Sequence, residues 1–239
     1  MHFLALSCDR HEANLAMDEA LLDEAEAAGQ PCEVLRIWEP RAPLVVVGRS
    51  SHVSREVHED ACRRRGIPIR RRTSGGAAIV TGPGCLMYAV VLSYELRPAL
   101  RALEAAHNFV METLLSAVSR WVTGASRRGI CDLTLDGRKF SGNSVRCRRQ
   151  HLLYHGTLLY DFDLDLIEAC LAMPPRVPDY RAGRDHREFV TNLPIVPQRL
   201  TEALRTAWAV DQEATPPRAE LVERLIAEKY AQHDWNYRY

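Results

Sequence analysis

The chain has 239 residues, 46% hydrophobic and 26% charged, so it can bury a substantial core and has the profile of a globular domain. Lys+Arg and Asp+Glu both number 31, a formal net charge of zero, which argues against a general nucleic-acid-binding domain and its usual basic excess. No apolar run nears the ~18 residues of a membrane span, and the seven cysteines contain no CxxC pair, which points to neither a zinc site nor a disulfide framework.

Met1 to Ser7 is too short for a signal peptide, with Cys8-Asp9-Arg10-His11-Glu12 following at once. Together with the unpaired cysteines this makes a cytoplasmic location the expectation. Phe3 to Ser7 reads as a strand and Asn14 to Ala28 as a helix stopped by Gly29. Val34 to Trp38 and Leu44 to Gly48 read as strands around a turn marked by Pro40 and Pro43. Glu56 to Arg65 reads as a helix closed by Gly66 and Pro68. Ile67 to Arg71 and Ala77 to Leu92 are strands flanking a small-residue loop, the second interrupted at Gly82-Pro83-Gly84. Leu100 to Val122 is a long amphipathic helix with Leu103, Phe109, Val110, Leu114 and Val118 on its apolar stripe. Short strands follow over Leu133 to Leu135, Lys139 to Arg146 and Leu152 to Phe162, with Asp136-Gly137 as the first hairpin turn. Leu164 to Ala172 is a short helix. An irregular, arginine-rich segment runs from Pro174 to about Pro197, and helices cover Leu200 to Ala209 and Arg218 to Tyr230. Strands, one long helix and more strands favour an α+β layer over a doubly wound parallel sheet. A single domain over residues 1–239 is expected.

Three segments carry candidate chemistry. In Arg70-Arg71-Arg72-Thr73-Ser74-Gly75-Gly76-Ala77-Ala78, arginines with planar donor forks run into a turn whose N–H groups can form an anion nest. Taken alone, Ser-Gly-Gly is also an ordinary hairpin turn. In Asp132 to Ser144, Lys139 follows a hairpin turn and precedes Ser141-Gly142. It could stabilise charge growing on a carbonyl or phosphate oxygen, or be a surface lysine at a strand start. Asp132 could meet a metal-bound phosphate or a ribose, or cap a strand edge. In His155-Gly156-Thr157-Leu158-Leu159, the histidine could be a base or a packing residue, and Gly156 could admit close backbone approach to a ligand.

Together these segments resemble the lipoate–protein ligase and octanoyltransferase family, the biotin/lipoyl ligase catalytic domain. Arg71-Arg72-Thr73-Ser74-Gly75-Gly76-Ala77-Ala78 is similar to its RRxSGGGA loop. Asp136 to Ser144 is similar to its GxKxSGxA segment, with the family's lysine at Lys139, and His155 to Leu159 to its HGTLL strand. Asn14 to Leu22 resembles its first helix, Leu35 to Trp38 and Val46 to Arg49 the next strands, and Lys229-Tyr230 with Asp234-Trp235-Asn236 the end of its catalytic domain. The resemblance implies a class II aminoacyl-tRNA synthetase/biotin synthetase-like fold, a mixed, mostly antiparallel sheet covered by helices. It implies attachment of lipoate or octanoate to a lysine of a lipoyl carrier protein or domain, with ATP and Mg²⁺ giving an acyl-adenylate. Lys139 would be the catalytic cation. Arg71, Arg72, Ser74, Gly75, Gly76, Ala77, Ala78, Asp132, Ser141, Gly142, His155 and Gly156 would surround the adenylate, Asp132 being a candidate contact to Mg-phosphate. Ile79, Tyr88 and Val90 are candidates to line a tunnel for the acyl chain. Neither nucleic acid nor membrane is an expected partner.

The pattern also departs from the family. Ala77 replaces the loop's third glycine, and its methyl group disfavours left-handed geometry. Cys131-Asp132 replaces Asn-Asp, and Thr81-Gly82-Pro83-Gly84-Cys85 is nearer the octanoyltransferases' HGPGQ than the ligases' His-Asp. The extra C-terminal domain of large ligases is not found, which leaves a separate accessory chain or ATP-independent acyl transfer as expectations. Such a transferase would use a cysteine thioester, with Cys131 the first candidate, Cys85 the second, and Cys147 and Cys170 behind them. A reading of another class is a non-catalytic acyl- or nucleotide-binding domain.

Overall fold

The computed structural model describes residues 1–239. Its strands are β1 His2–Ala5, β2 Val34–Trp38, β3 Leu44–Val47, β4 Ile69–Arg71, β5 Ile79–Thr81, β6 Cys85–Ser93, β7 Ala125–Arg128, β8 Asp132–Leu135, β9 Arg138–Cys147, β10 His151–Leu159 and β11 Gln212–Glu213. Its helices are α1 His11–Ala27, α2 Val53–Glu56, α3 Glu59–Arg64, α4 Leu103–Ser119, α5 Asp165–Cys170, α6 His186–Phe189, α7 Pro197–Ala207, α8 Ala219–Leu225, prolonged by a π-helical turn Ile226–Tyr230, and α9 His233–Asn236.

Eight strands form one mixed sheet in the order β11-β1-β2-β6-β10-β9-β8-β7. Its pairs are antiparallel except β11–β1 and β1–β2. The central strands β6 and β10 are buried along their whole length because both faces of the sheet are covered. On one face Tyr88, Val90 and Tyr154 pack with Val110 and Leu114 of α4 and Leu200 of α7. On the other, Ala89, Val91 and Leu153 pack with Leu21 and Leu22 of α1. Alternate residues of a strand point to opposite faces, so β6 and β10 each contribute to two cores. A smaller sheet, β4-β3-β5, packs against α1 through Val45, Val46, Ile69 and Val80.

The α+β layering and mostly antiparallel sheet agree with the sequence. Three local expectations are corrected, and one short strand is unforeseen. β2 and β3 do not pair across Pro40 and Pro43 but lie in different sheets. The helix expected from Glu56 to Arg65 is split into α2 and α3 by Val57, which bridges to Leu171. Leu103 is 51% exposed and no part of the buried stripe of α4. β11 is two exposed residues with no apolar pattern, paired in parallel with β1.

The correction that matters most for the site concerns the arginine–glycine loop. Its flanking strands β4 and β5 do not pair with each other. Both pair with β3, β4 in parallel and β5 antiparallel. The loop therefore crosses the end of β3 and is not a hairpin turn.

Candidate active site

The loop is held by the two arginines that lead into it. Arg71 has no exposed surface. Its Nε donates to Trp235 O, its Nη1 to Gly48 O and Ser51 O, and its Nη2 to Asn236 O, at 2.6–2.9 Å. Trp235 Nε1 donates back to Arg71 O. All three guanidinium nitrogens are thus committed to backbone carbonyls, which corrects the expectation that Arg71 meets the ligand. Arg72 bonds within the loop. Its Nη1 donates to Val46 O, its Nη2 to Gly75 O and Ala77 O, and its Nε to Ser74 Oγ and Gly75 O. Burial pulls its pKa down to about 10, so it stays cationic at neutral pH.

These bonds turn the loop carbonyls inward. Gly76 takes φ +86° to complete the turn, a conformation open to glycine at no steric cost. Ala77 does not have positive φ, so the missing third glycine costs the loop nothing in backbone geometry. The N–H of Ala78 is taken by Glu56 Oε2 at 2.7 Å. The N–H groups of Gly75, Gly76 and Ala77 have no partner in the chain, and these three residues are exposed. Together they make a surface of free donors of the kind that suits an anion. Ser144 Oγ donates to Gly75 O at 2.9 Å and ties the loop to β9.

Lys139 stands on β9 after the Asp136-Gly137 turn, where both residues have positive φ. Its Nζ lies 2.7 Å from Asp132 Oδ1. A Cβ added to Gly142 would come within 2.9 Å of that Nζ, so glycine is what lets the ammonium cross this strand. Gly142 and Ser144 are two residues apart and share a face, so the Lys139 ammonium lies on the side of β9 to which the loop is tied. Tyr180 OH donates to Asp132 Oδ2 at 2.7 Å, which occupies the second carboxylate oxygen. Asp132 is therefore the partner of Lys139. No group of three His, Cys, Asp or Glu side chains is placed to hold a metal, so a magnesium ion at Asp132 would draw most of its ligands from substrate phosphates and water. The irregular segment that carries Tyr180 covers this hairpin: Arg184 Nη1 donates to Gly137 O, and Thr191 N donates to Lys139 O.

The opposite face of β9 is different. A Cβ on Gly156 would sit 1.9 Å from Asn143 Oδ1, so Gly156 makes room for a side chain and not for a ligand. Asn143 Oδ1 accepts from Tyr88 OH at 2.6 Å, and its Nδ2 donates to Ser141 Oγ and Cys131 O. Ser141 is thereby buried in a polar knot, and Tyr88 and Val90 are fully buried in the core under α4. Cys131 donates its thiol to Asn143 O at 3.1 Å. Burial pushes that thiol up, Asp132 adds to this and Lys139 opposes it. A nucleophilic cysteine needs the reverse. Cys85 is pushed up to about 12 by burial, and burial likewise raises Cys170.

His155 is 7% exposed and belongs to the loop side of the sheet. Its Nε2 is 2.5 Å from Ser74 Oγ, and its Nδ1 is 3.4 Å from Asp18 Oδ2. Asp18 Oδ1 accepts from Arg36 Nη1 at 2.5 Å, both side chains being almost wholly buried. One residue further along α1, Glu19 accepts from Lys229 Nζ, Tyr230 OH and Thr73 Oγ1. The sequence reading missed Asp18, Glu19 and Arg36. A signal was present: charges inside apolar runs, as in Leu15-Ala16-Met17-Asp18-Glu19-Ala20-Leu21-Leu22 and Val34-Leu35-Arg36-Ile37-Trp38, are buried only when paired.

Comparison with known proteins gives the family of the chain. The family model of the lipoyl protein ligase A/B catalytic domain matches residues 10–206. Lipoate-protein ligase LplJ of Bacillus subtilis is 23% identical, covering 94% of this chain and 69% of the relative. Octanoyltransferase LipM of Kyrpidia tusciae is 27% identical, covering 94% of each chain. Among solved structures, the bi-partite lipoate protein ligase of Thermoplasma acidophilum superposes with a TM-score of 0.84 at 22% identity, over 99% of this chain and 95% of that one. A lipoate-protein ligase A bound with ATP gives 0.76 at 22%, over 99% and 98%. These likenesses confirm the class II synthetase-like fold. With its family model matching most of its length, the chain belongs to the lipoyl protein ligase A/B catalytic-domain family, which contains both lipoate–protein ligases and octanoyltransferases.

Proposed function

We propose that the protein attaches lipoate or octanoate to a lysine of a lipoyl carrier protein or domain through an acyl-adenylate made from ATP. The observation that carries this reading is the Lys139 ammonium, held over Gly142 on the face of β9 where the loop with its three unpartnered N–H groups is tied. The loop N–H groups would hold the carboxylate and then the phosphate of the adenylate. Lys139 would leave Asp132 to neutralise charge on the acyl carbonyl and α-phosphate oxygens, a preorganised electrostatic contribution. Burial of the aliphatic chain would add about 0.8 kcal/mol per CH₂.

The state of three of the four candidate thiols supports the adenylate over a thioester on any of those three, while Cys147 is exposed. Burial raises Cys131, Cys85 and Cys170 away from the thiolate form, and none of them has a histidine partner. A cytoplasmic location is part of the reading. The bi-partite description of the Thermoplasma relative supports supplying a second chain in the assay.

The test is ATP–pyrophosphate exchange with lipoate or octanoate, with and without an accessory chain. Acid-dependent exchange is the expected result. No exchange in either condition, with transfer from an octanoyl carrier thioester to a lipoyl domain, would replace the ligase by the ATP-independent transferase.

A further inference from the structure

The buried row Arg36–Asp18–His155–Ser74 has no part in the adenylate chemistry just described, yet it is the only place where a hydroxyl, an imidazole and a carboxylate stand in hydrogen-bonded sequence. We infer that Ser74 and His155 are a proton relay for the attacking lysine amine, and that Asp18 and Arg36 are its positioning residues. The inference rests on the proposed function, because it assigns a base to the amide-forming step of that reaction.

The geometry fixes the direction of the relay. Arg36 is fully buried and donates to Asp18 Oδ1, Asn14 O, Asn14 Oδ1 and Leu6 O. Asp18 is the ion-pair partner of that guanidinium, and a carboxylate can only accept. The His155 nitrogen facing it, Nδ1, therefore carries the hydrogen. In the neutral ring Nε2 is then the acceptor, and the Ser74 hydroxyl, 2.5 Å away, is the donor. Arg72 Nε, 3.2 Å from Ser74 Oγ, donates to the same oxygen and helps fix it. A proton acceptor oriented by a third group is the arrangement that makes a base effective. His155 faces the strand position of Ser144 across the β10–β9 pair. Ser144 shares a face with Gly142, over which the Lys139 ammonium lies. Ser74, itself 1% exposed, adjoins Gly75, whose carbonyl Ser144 ties to this face, so an acyl group held by Lys139 and the loop would lie over it.

The step balances. The amine lone pair forms the C–N bond to the acyl carbon, and the bond from that carbon to the leaving group, an adenylate phosphate or a carrier thiol, breaks with its electron pair. The nitrogen, now positive, gives a proton to Ser74 Oγ as the Ser74 proton passes to His155 Nε2. The imidazolium is held by Asp18 until it returns the proton to the leaving group or to solvent.

The test supplies synthetic octanoyl-adenylate, or an octanoyl thioester if the transferase reading holds. It compares two acceptors, a lipoyl domain and hydroxylamine, whose nitrogen is weakly basic and gives up its proton readily after attack. Asp18→Asn should lower the ratio of lysine to hydroxylamine transfer by at least ~10²-fold, in the range for loss of a positioned base, through kcat and not KM. Ser74→Ala keeps the Arg36–Asp18 pair and should lower the same ratio, so a folding defect in Asp18→Asn leaves the relay testable. Equal loss with both acceptors, or an unchanged ratio in both variants, would overturn the relay while the proposed function stands. No transfer to either acceptor by the unsubstituted protein would overturn the proposed function and the relay with it.

Discussion

The two sides of the site are both cationic and are built in opposite ways. On the loop side, Arg71 and Arg72 have every guanidinium nitrogen bonded to the chain itself. On the hairpin side, Lys139 has one carboxylate partner and keeps 28% of its side-chain surface exposed. The arginines shape a surface of backbone N–H groups, while the lysine keeps a single, partly exposed partner. What a cation does here is set by what already occupies its donors, and its charge alone would not separate the two roles.

Replacing the exposed lysine should show this most strongly. Lys139→Ala should cut acyl transfer by about 10²–10³-fold, the loss seen when one preorganised donor to a developing charge is removed. It should leave the melting temperature nearly unchanged, since a partly exposed ion pair contributes about 0–1 kcal/mol. A large fall in melting temperature would erase the contrast, because Lys139 would then be structural like the arginines. Arg71→Ala should behave in the opposite manner. It strands the carbonyls of Gly48, Ser51, Trp235 and Asn236, and breaking such a buried charged network costs about 3 kcal/mol or more. Thermal unfolding would record that as a fall of roughly 6–12 °C for a chain of this size.

The sequence made the α+β layering legible because it is a local pattern. Apolar runs mark β6 and β10, and Asp136-Gly137 marks the turn before Lys139, whose role rests on the family resemblance. The sequence misled where a partner far along the chain decides the role. Arg71 reads as a ligand fork until Trp235 and Asn236 are seen to accept its donors. Gly156 reads as a ligand approach until Asn143 is found in the space it leaves. The loop reads as a hairpin turn because nothing in Ile69 to Thr81 reveals that β3 lies between its flanking strands. The apolar neighbours of Asp18 and Glu19 mark them as buried, but their partners Arg36 and Lys229 lie too far along the chain to be named from it.

The C-terminal brace of the loop carries a smaller, pH-dependent contribution. Burial pushes the Glu19 carboxyl up, but Lys229, Tyr230 and Thr73 more than offset this and hold it below its ordinary value of 4.5. With the folded-state pKa below the unfolded one, the stabilisation is fully present above about pH 4.5 and is lost as pH falls through the lowered folded value. Melting curves from pH 6 to 3 (an order-of-magnitude window set by carboxylate titration) should fall less steeply in Glu19→Gln. An identical slope in the two proteins would mean that the loop does not depend on this brace.

The smallest effect should come from Ala77, where the chain leaves the family pattern. Ala77 does not have positive φ, and Gly76 makes the left-handed turn. Glycine at 77 would therefore add freedom mainly to the unfolded chain, costing about 0.4–1 kcal/mol, or a fall in melting temperature of roughly 1–4 °C. The contrast between the two sides treats the loop as a surface of N–H groups that Arg72 shapes through the carbonyls of Gly75 and Ala77. If that is right, the methyl group is tolerated because it leaves those groups uncovered. A gain in turnover of about ten-fold in Ala77→Gly, equivalent to ~1.4 kcal/mol in the barrier, would show instead that the methyl group obstructs the anion at this surface. The loop's binding face would then have to be redrawn around residue 77.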